Sequence, residues 1–199
     1  PDDLETLNLF MDQENDYKKT VEIIHFLEFL RDEIGFDKLK KRVKNPLKDM
    51  KIMPYYGCML LRPREVAIDD AEEPTIFSDL LEALGAEVVD NPFKIECCGS
   101  YHTIENQKIV SKRAHRISKF ALDRGADAMV LSCPLCRFNL DKRGKEAEKI
   151  FKGYKQIPTY YYTQLIAVAL GLDPNVCGFG DHVVDPKLLL KKKGILKKI

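Results

Sequence analysis

Five of the six cysteines in this chain fall into three short groups: Cys58, Cys97-Cys98 and Cys133-Cys136. A thiolate is a strong nucleophile and a soft metal ligand, so groups of cysteines point to redox chemistry or to metal. In Cys133-Pro134-Leu135-Cys136 the proline suits the first position of a helix, which makes Cys133 its N-cap. The free N–H groups and the dipole at that end favour negative charge by roughly 0.3–1 kcal/mol, so they lower thiolate pKa values and are able to donate to cluster sulfides. Adjacent cysteines in an extended segment point to opposite faces. Cys97 and Cys98 therefore chelate one small ion poorly unless Gly99 turns the chain, whereas neighbouring thiolates can bind different irons of one cluster. Five thiolates also exceed the four of a tetrahedral zinc site, and thiolates suit iron–sulfur clusters. Two other readings stay open. One is a thioredoxin-type thiol–disulfide oxidoreductase that uses Cys133 and Cys136, with Ile157-Pro158 in place of a cis-proline loop. The other is a zinc-stabilised scaffold. Cys177 lies outside the groups and reads as structural.

The elements that must position these thiols can be read from hydrophobic periodicity. Residues 1–16 are polar and acidic and read as a loop or linker end. Val21, Ile24, Phe26, Leu27, Leu30 and Ile34 recur at helical spacing, which predicts a helix over 16–35, with a short second helix over 36–43. Strands are predicted at 51–56, 86–89, 128–132 and 158–162. Helices are predicted at 74–84, 103–124 and 134–150, and a last one, capped by Thr163, runs to Gly171. Strands that alternate with helices predict an α/β fold: a small parallel sheet with crossover helices. Each cysteine group follows a strand or a turn beyond one. The expected site is thus the C-terminal edge of the sheet, where ligands collect in such folds.

Bulk properties exclude several classes. With 199 residues, a net charge of +1 and 32% charged residues, the chain reads as an ordinary globular protein with no global attraction to nucleic acid. The basic residues from Lys187 to Lys198 read as a solvated or docking tail. No apolar run is long enough to cross a membrane, and the acidic start Pro1-Asp2-Asp3 does not resemble a signal peptide. These features predict a cytoplasmic protein.

Other candidate residues follow. His102 lies four residues past Cys98 and is the candidate proton donor to a leaving thiolate; the competing reading is a surface or capping histidine. His25 and His115 read as packed side chains, and His182 has no assigned role. Tyr160-Tyr161-Tyr162 reads as core packing rather than a cofactor platform. Arg62 and Arg64, just past Cys58, face either an anionic substrate or solvent.

The order Cys58, Cys97-Cys98-Gly99, Cys133-Pro134-Leu135-Cys136 resembles the cysteine-rich CCG domain. That domain occurs in the B subunit of heterodisulfide reductases and in iron–sulfur subunits of lactate, glycolate and glycerol-3-phosphate oxidation systems. Pro54-Tyr55-Tyr56-Gly57-Cys58, Leu61-Arg62-Pro63, Tyr162-Thr163-Gln164-Leu165 and His182-Val183-Val184-Asp185-Pro186 resemble the B subunit itself. The resemblance implies a non-cubane [4Fe–4S] cluster held by Cys58, Cys97, Cys98, Cys133 and Cys136. It implies reduction of a disulfide (coenzyme M–S–S–coenzyme B or a related one), or electron relay. It also implies partners: a flavin- and iron–sulfur-containing A-like subunit, a C-like subunit with cubane clusters, and a hydrogenase or formate dehydrogenase module. The family's B subunit carries two CCG copies. Residues 1–50 accordingly read as the helical linker after a first copy that this chain lacks, and residues 51–199 as the second copy. Ser100-Tyr101-His102 stands where the methanogen enzymes have a more glycine-rich run, so this version is closer to homologues outside the methanogens.

Overall fold

The computed structural model describes residues 3–10 and 16–196. In chain order its elements are α1 (Asp3–Phe10), α2 (Phe26–Phe29), α3 (Phe36–Lys40), β1 (Lys51–Pro54), α4 (Ile76–Ala83), β2 (Glu87–Val88), α5 (Gln107–Asp123), β3 (Ala128–Leu131), α6 (Pro134–Phe138), α7 (Gly144–Ala147), β4 (Thr159–Tyr161), α8 (Tyr162–Ala169) and α9 (Pro186–Lys192). A π-helical turn, Leu30–Ile34, extends α2, and a second, Asn139–Arg143, joins α6 to α7. Among the described residues no helix is long and apolar enough to cross a membrane.

The four strands form one all-parallel sheet in the order β2-β1-β3-β4, as the alternation of strands and helices predicts. Both faces are covered, so the strands are apolar on both sides. Ile52, Ala128, Val130 and Tyr160 face the core that contains α4 and α8. Their neighbours Met53, Met129 and Leu131 face the opposite layer, against α5. From β1 the chain steps to one side for β2, then crosses back over β1 to place β3 on the other side. The order therefore reverses between β1 and β3. At such a point the connections leaving two adjacent strands diverge and open a crevice beyond their C-terminal ends.

The segment before β1 packs into the same core. Leu27, Leu30, Leu39, Leu47 and Met50 are buried with Ile52, Phe77 and Tyr162. The Leu47 N–H donates to Leu84 O, and the Lys44 and Asn45 N–H groups both donate to Ala169 O.

Several boundaries differ from the sequence reading. Residues 3–10 form a helix where a loop is expected. The helix expected over 16–35 spans only 26–34, and residues 16–25 are irregular. Val21 and Ile23 are exposed, so the apolar stripe there has nothing to pack on, and a short helix without a packed face is not stable. The long helix begins at Gln107 rather than Thr103, because Thr103 spends its hydroxyl and carbonyl on Asn139 and Arg143. The N-cap of α8 is Tyr161 rather than Thr163, and its N–H donates to Gln164 Oε1 at 2.9 Å. Lys197 and Lys198 of the basic tail lie outside the described residues.

This packing makes a prediction for the segment before β1. Leu27→Ala should destabilise the metal-free chain by about 2–5 kcal/mol, the usual result for a fully buried leucine. Urea unfolding should show one transition, shifted as a whole. A loss under about 0.5 kcal/mol, the size of a surface effect, would mean that residues 26–50 dock loosely on the sheet.

Candidate functional site

The thiols gather at the crevice. Cys58 follows β1 through the sharp turn at Gly57, whose φ is +68°. Cys133 and Cys136 follow β3, with Cys133 as N-cap of α6 and Pro134 in its first turn. Cys97 and Cys98 come from the loop after β2, which is tied to the end of β1. The Tyr56 and Gly57 N–H groups donate to Lys94 O, Asn91 Nδ2 donates to Pro54 O, and the Tyr55 hydroxyl donates to Glu96 O at 2.6 Å. Arg113 of α5 donates from Nε to Cys97 O at 3.0 Å. Gly99, at φ +87°, then turns the chain into a short 3-10 turn, Ser100–His102.

The sulfurs touch in two sets. Cys58 pairs with Cys97. Cys136 lies between Cys98 and Cys133 and hydrogen-bonds to both. Tyr55 lies beside four of them: burial pushes its phenol well above the ordinary range, and Cys136, Cys98, Cys97 and Cys58 add to the rise. The fit is tight at the base, since a Cβ on Gly57 would sit 3.0 Å from Cys136 Sγ. Cys98 and Cys136 are buried, while Cys58, Cys97 and Cys133 are half-buried and form the outer edge.

Hydrogen bonds sort the thiols by charge. The Cys136 thiol together with the Cys136 and Leu135 N–H groups at the α6 start brings Cys133 down to about 6, against burial. The Cys136 thiol, the Asn139 amide and the Ser100 N–H bring Cys98 down to about 7. Cys136, the donor to both, is driven strongly upward by those same bonds and by burial. Burial and the neighbouring Cys97 raise Cys58. The Gly99 N–H donates to Cys97 Sγ at 3.3 Å. Backbone and amide donors aimed at sulfur are what tune thiolate-held metal sites.

Sequence reasoning missed the second layer of the site. Asn139 is fully buried and donates from Nδ2 to Cys98 Sγ at 3.4 Å. Its Oδ1 accepts from Thr103 Oγ1 at 2.7 Å, and Arg143 holds Thr103 in turn. Asn139 opens the π-helical turn, and such turns re-aim side chains at functional sites. Asp141 in the same turn accepts from the Val183 and Val184 N–H groups at 2.7 and 2.9 Å, so the 182–184 segment is anchored there. The one signal in the sequence is an asparagine three residues past Cys136, on the same helical face.

The other candidates stand as follows. His102 is exposed on its turn. His115 stacks on Phe151 at 3.7 Å, and Tyr160 and Tyr162 are buried, so these are packing residues. His182 meets Gln164 at 3.0 Å. Arg62 is engaged by Ala71 O and Glu72, and Arg64 is exposed. Cys177 is buried, with its Sγ toward Asp173 O, as a structural role requires. The one cis peptide bond among the described residues is Arg62–Pro63, so Ile157–Pro158 is not the cis-proline of the thioredoxin-type reading. Among the described residues no three His, Cys, Asp or Glu side chains are disposed around a single metal ion.

Known proteins share this arrangement of sequence and fold. Residues 52–141 match the family model CCG, a cysteine-rich domain. The chain is 34% identical over 176 residues to the B subunit of a ferredoxin/F420H2-dependent CoB-CoM heterodisulfide reductase of Methanosarcina acetivorans, covering 85% of this chain and 57% of that protein. It is 32% identical over 181 residues to an 8-methylmenaquinol:fumarate reductase membrane anchor subunit of Wolinella succinogenes, covering 90% of this chain and 63% of that protein. A protein of Archaeoglobus profundus described as like the heterodisulfide reductase B subunit is 31% identical over 167 residues, covering 80% of this chain and 55% of that protein. The chain thus spans between 55% and 63% of the length of these curated relatives. In fold it is similar to a crystal structure of a hypothetical protein from Helicobacter pylori, with a TM-score of 0.68, 13% identity, and coverage of 90% of this chain and 32% of that one.

The sorted thiols predict a pH profile for the reduced, metal-free protein. A lowered pKa means that the thiolate persists at neutral pH and is lost as pH falls through that value. Iodoacetamide should therefore label Cys133 at pH 7 with a midpoint near pH 6, while Cys136 stays unlabelled until the protein unfolds. Peptide mass spectrometry after timed quenching reads both. A Cys133 midpoint near the ordinary thiol value of about 8.5 would contradict the bonding pattern.

Proposed function

This chain is a homologue of heterodisulfide reductase B subunits and carries a CCG cysteine-rich domain, and from that premise we propose that it is the iron–sulfur subunit of a heterodisulfide-reductase-like complex. The observation that carries the reading is the convergence of Cys58, Cys97, Cys98, Cys133 and Cys136 on the β1/β3 crevice. The donor set fits a cluster with several irons. All five donors are thiols, N–H and amide groups already point at the sulfurs, and Gly57 leaves out a side chain that would crowd Cys136. We assign all five as ligands of a non-cubane [4Fe–4S] cluster. When bound, that cluster supplies the electrons for reducing a disulfide, or passes them on to a further carrier.

The chain's own residues do the rest. Asn139, Ser100 and Leu135 hold negative charge on Cys98 and Cys133 through hydrogen bonds. Tyr55 and the Cys98–Cys136 layer keep water from the base of the site. His102, exposed beside the Cys98 turn, is the residue we assign to deliver a proton to a product thiolate. Met59, Tyr101, Ile104 and Leu135 are exposed on the same three segments that carry the cysteines, Leu135 in the first turn of α6. Apolar groups around an active edge suit contact with other subunits. We assign those partners as A-like flavin and C-like iron–sulfur subunits, with a hydrogenase or formate dehydrogenase module upstream and a CCG first half that residues 1–50 would follow. The assembly belongs in the cytoplasm, where cysteines stay reduced.

One observation favours a second reading. Cys133 is thiolate-prone beside a protonated Cys136, as a thiol–disulfide oxidoreductase needs.

Anaerobic purification followed by iron, acid-labile sulfide and zinc analysis decides between these readings. We expect iron with sulfide, strongly reduced in Cys98→Ser and Cys136→Ser and unchanged in Cys177→Ser. Equal loss in Cys177→Ser would refute the ligand set. Metal-free protein that exchanges disulfides at full rate through Cys133 would favour the second reading, and stoichiometric zinc would overturn both.

A further inference from the structure

We propose that His25, which lies outside the residues matched by the cysteine-rich family model, is a positioning residue for the thiol site: it holds Ser132, and through it the turn that presents Cys133. The inference rests on the reading of the thiols given above.

The geometry is local and specific. Ser132 is the single residue between the end of β3 and Cys133, the N-cap of α6. Its Oγ lies 3.0 Å from His25 Nε2. The other ring nitrogen of His25, Nδ1, accepts the Leu27 N–H at 3.2 Å and so caps α2. A nitrogen that accepts carries no proton, so the proton of the neutral ring is on Nε2, and Nε2 donates to Ser132 Oγ. Burial holds the His25 pKa below its ordinary value, in keeping with that neutral ring. The ring also packs 5.9 Å from Tyr162, the first residue of α8. His25 therefore bridges the residues that follow β3 and β4, both at the C-terminal edge of the sheet.

Leu27 fixes the origin of this bridge. It is fully buried, so the chain on which His25 sits cannot shift without opening the core. The path runs from the core to Leu27, then to His25, Ser132 and Cys133. Among the described residues His25 is the side-chain partner of the Ser132 hydroxyl, and it sets where that hydroxyl lies. The Cys133 thiolate depends on the Leu135 and Cys136 N–H groups aiming at it. That aim is a property of the turn on which Ser132 sits.

His25→Phe keeps a ring against Tyr162 and removes both hydrogen bonds, Ser132→Ala removes the acceptor, and Ser132→Thr keeps it. In the reduced, metal-free chain, hydrogen exchange of the peptide spanning 132–138 should speed by roughly two- to tenfold in His25→Phe and in Ser132→Ala. The double variant should match His25→Phe, which already breaks the link that Ser132→Ala removes, and Ser132→Thr should stay at the parent rate. In protein purified without oxygen, the electron paramagnetic resonance line shape should change in His25→Phe and be retained in Ser132→Thr. Unchanged exchange in His25→Phe and Ser132→Ala, or effects that add in the double variant, would overturn the proposal. If the parent protein binds no iron, the cluster reading fails, and the exchange measurements still decide the role of His25.

Discussion

Gathering thiols in one buried place is opposed by their own chemistry, and the structure around the crevice is an answer to that opposition. Each thiolate raises the energy of the next: Cys97 and Cys98 push Cys58 upward, and Cys133 pushes against ionisation of Cys98. Burial adds to the cost at Cys98 and Cys136. Countercharges are scarce beside the sulfurs. The nearby guanidinium of Arg113 donates to the Cys97 carbonyl and pairs with Glu96. The stabilisation comes instead from neutral donors: the Cys136 thiol first, then the Ser100, Leu135 and Cys136 N–H groups and the Asn139 amide. Neutral donors lower the energy of a thiolate without adding a charge that a bound group would have to neutralise. Hydrogen bonds to charged groups are also the stronger kind, about 1.5–3 kcal/mol each.

That dependence on neutral donors explains why the backbone is irregular where it is. A regular helix uses its N–H groups on its own carbonyls, so donors for sulfur must come from turns and helix starts. The site is built from three such places: the left-handed turn at Gly99, the first turn of α6, and the π-helical turn that carries Asn139. Each sits on a rigid base. Met53, Met129 and Leu131 lie beneath, in the layer shared with Cys98 and Cys136. The Arg143–Thr103–Asn139 chain fixes the amide from the far side.

The sheet and the location of the cysteines were legible in the sequence, because they rest on strong local signals. Ala128 to Leu131 is an apolar run followed by Cys-Pro, and Gly85 and Gly125 end their helices with positive φ, as glycine there permits. The exceptions have a common cause. Val21 and Ile24 carry a helical stripe, yet no helix forms there, because amphipathicity stabilises a helix only where a surface receives it. Thr103 fits the helical pattern and yet belongs to a tertiary hydrogen-bond chain. Asn139, Ser132 and His25 are each ordinary in their own neighbourhoods. Their partners lie 41, 107 and 107 residues away, and periodicity over a window of a dozen residues cannot see such pairs.

The distribution of burial bears on how the site works with what surrounds it. Cys98 and Cys136 form an inner layer backed by the core, and Cys58, Cys97 and Cys133 form an outer layer open to the crevice. The inner layer depends on packing and on the hydrogen bonds that Asn139 and Ser100 give Cys98. The outer layer is framed by Met59, Tyr101 and Ile104 on the loops and by Leu135 at the start of α6, all outside the core. Loops vary more readily than the elements they join. The relatives' names describe different whole complexes, heterodisulfide reductases on one side and a menaquinol:fumarate reductase on the other. In this structure the rim is apolar and exposed, so its preference is for a surface to cover it.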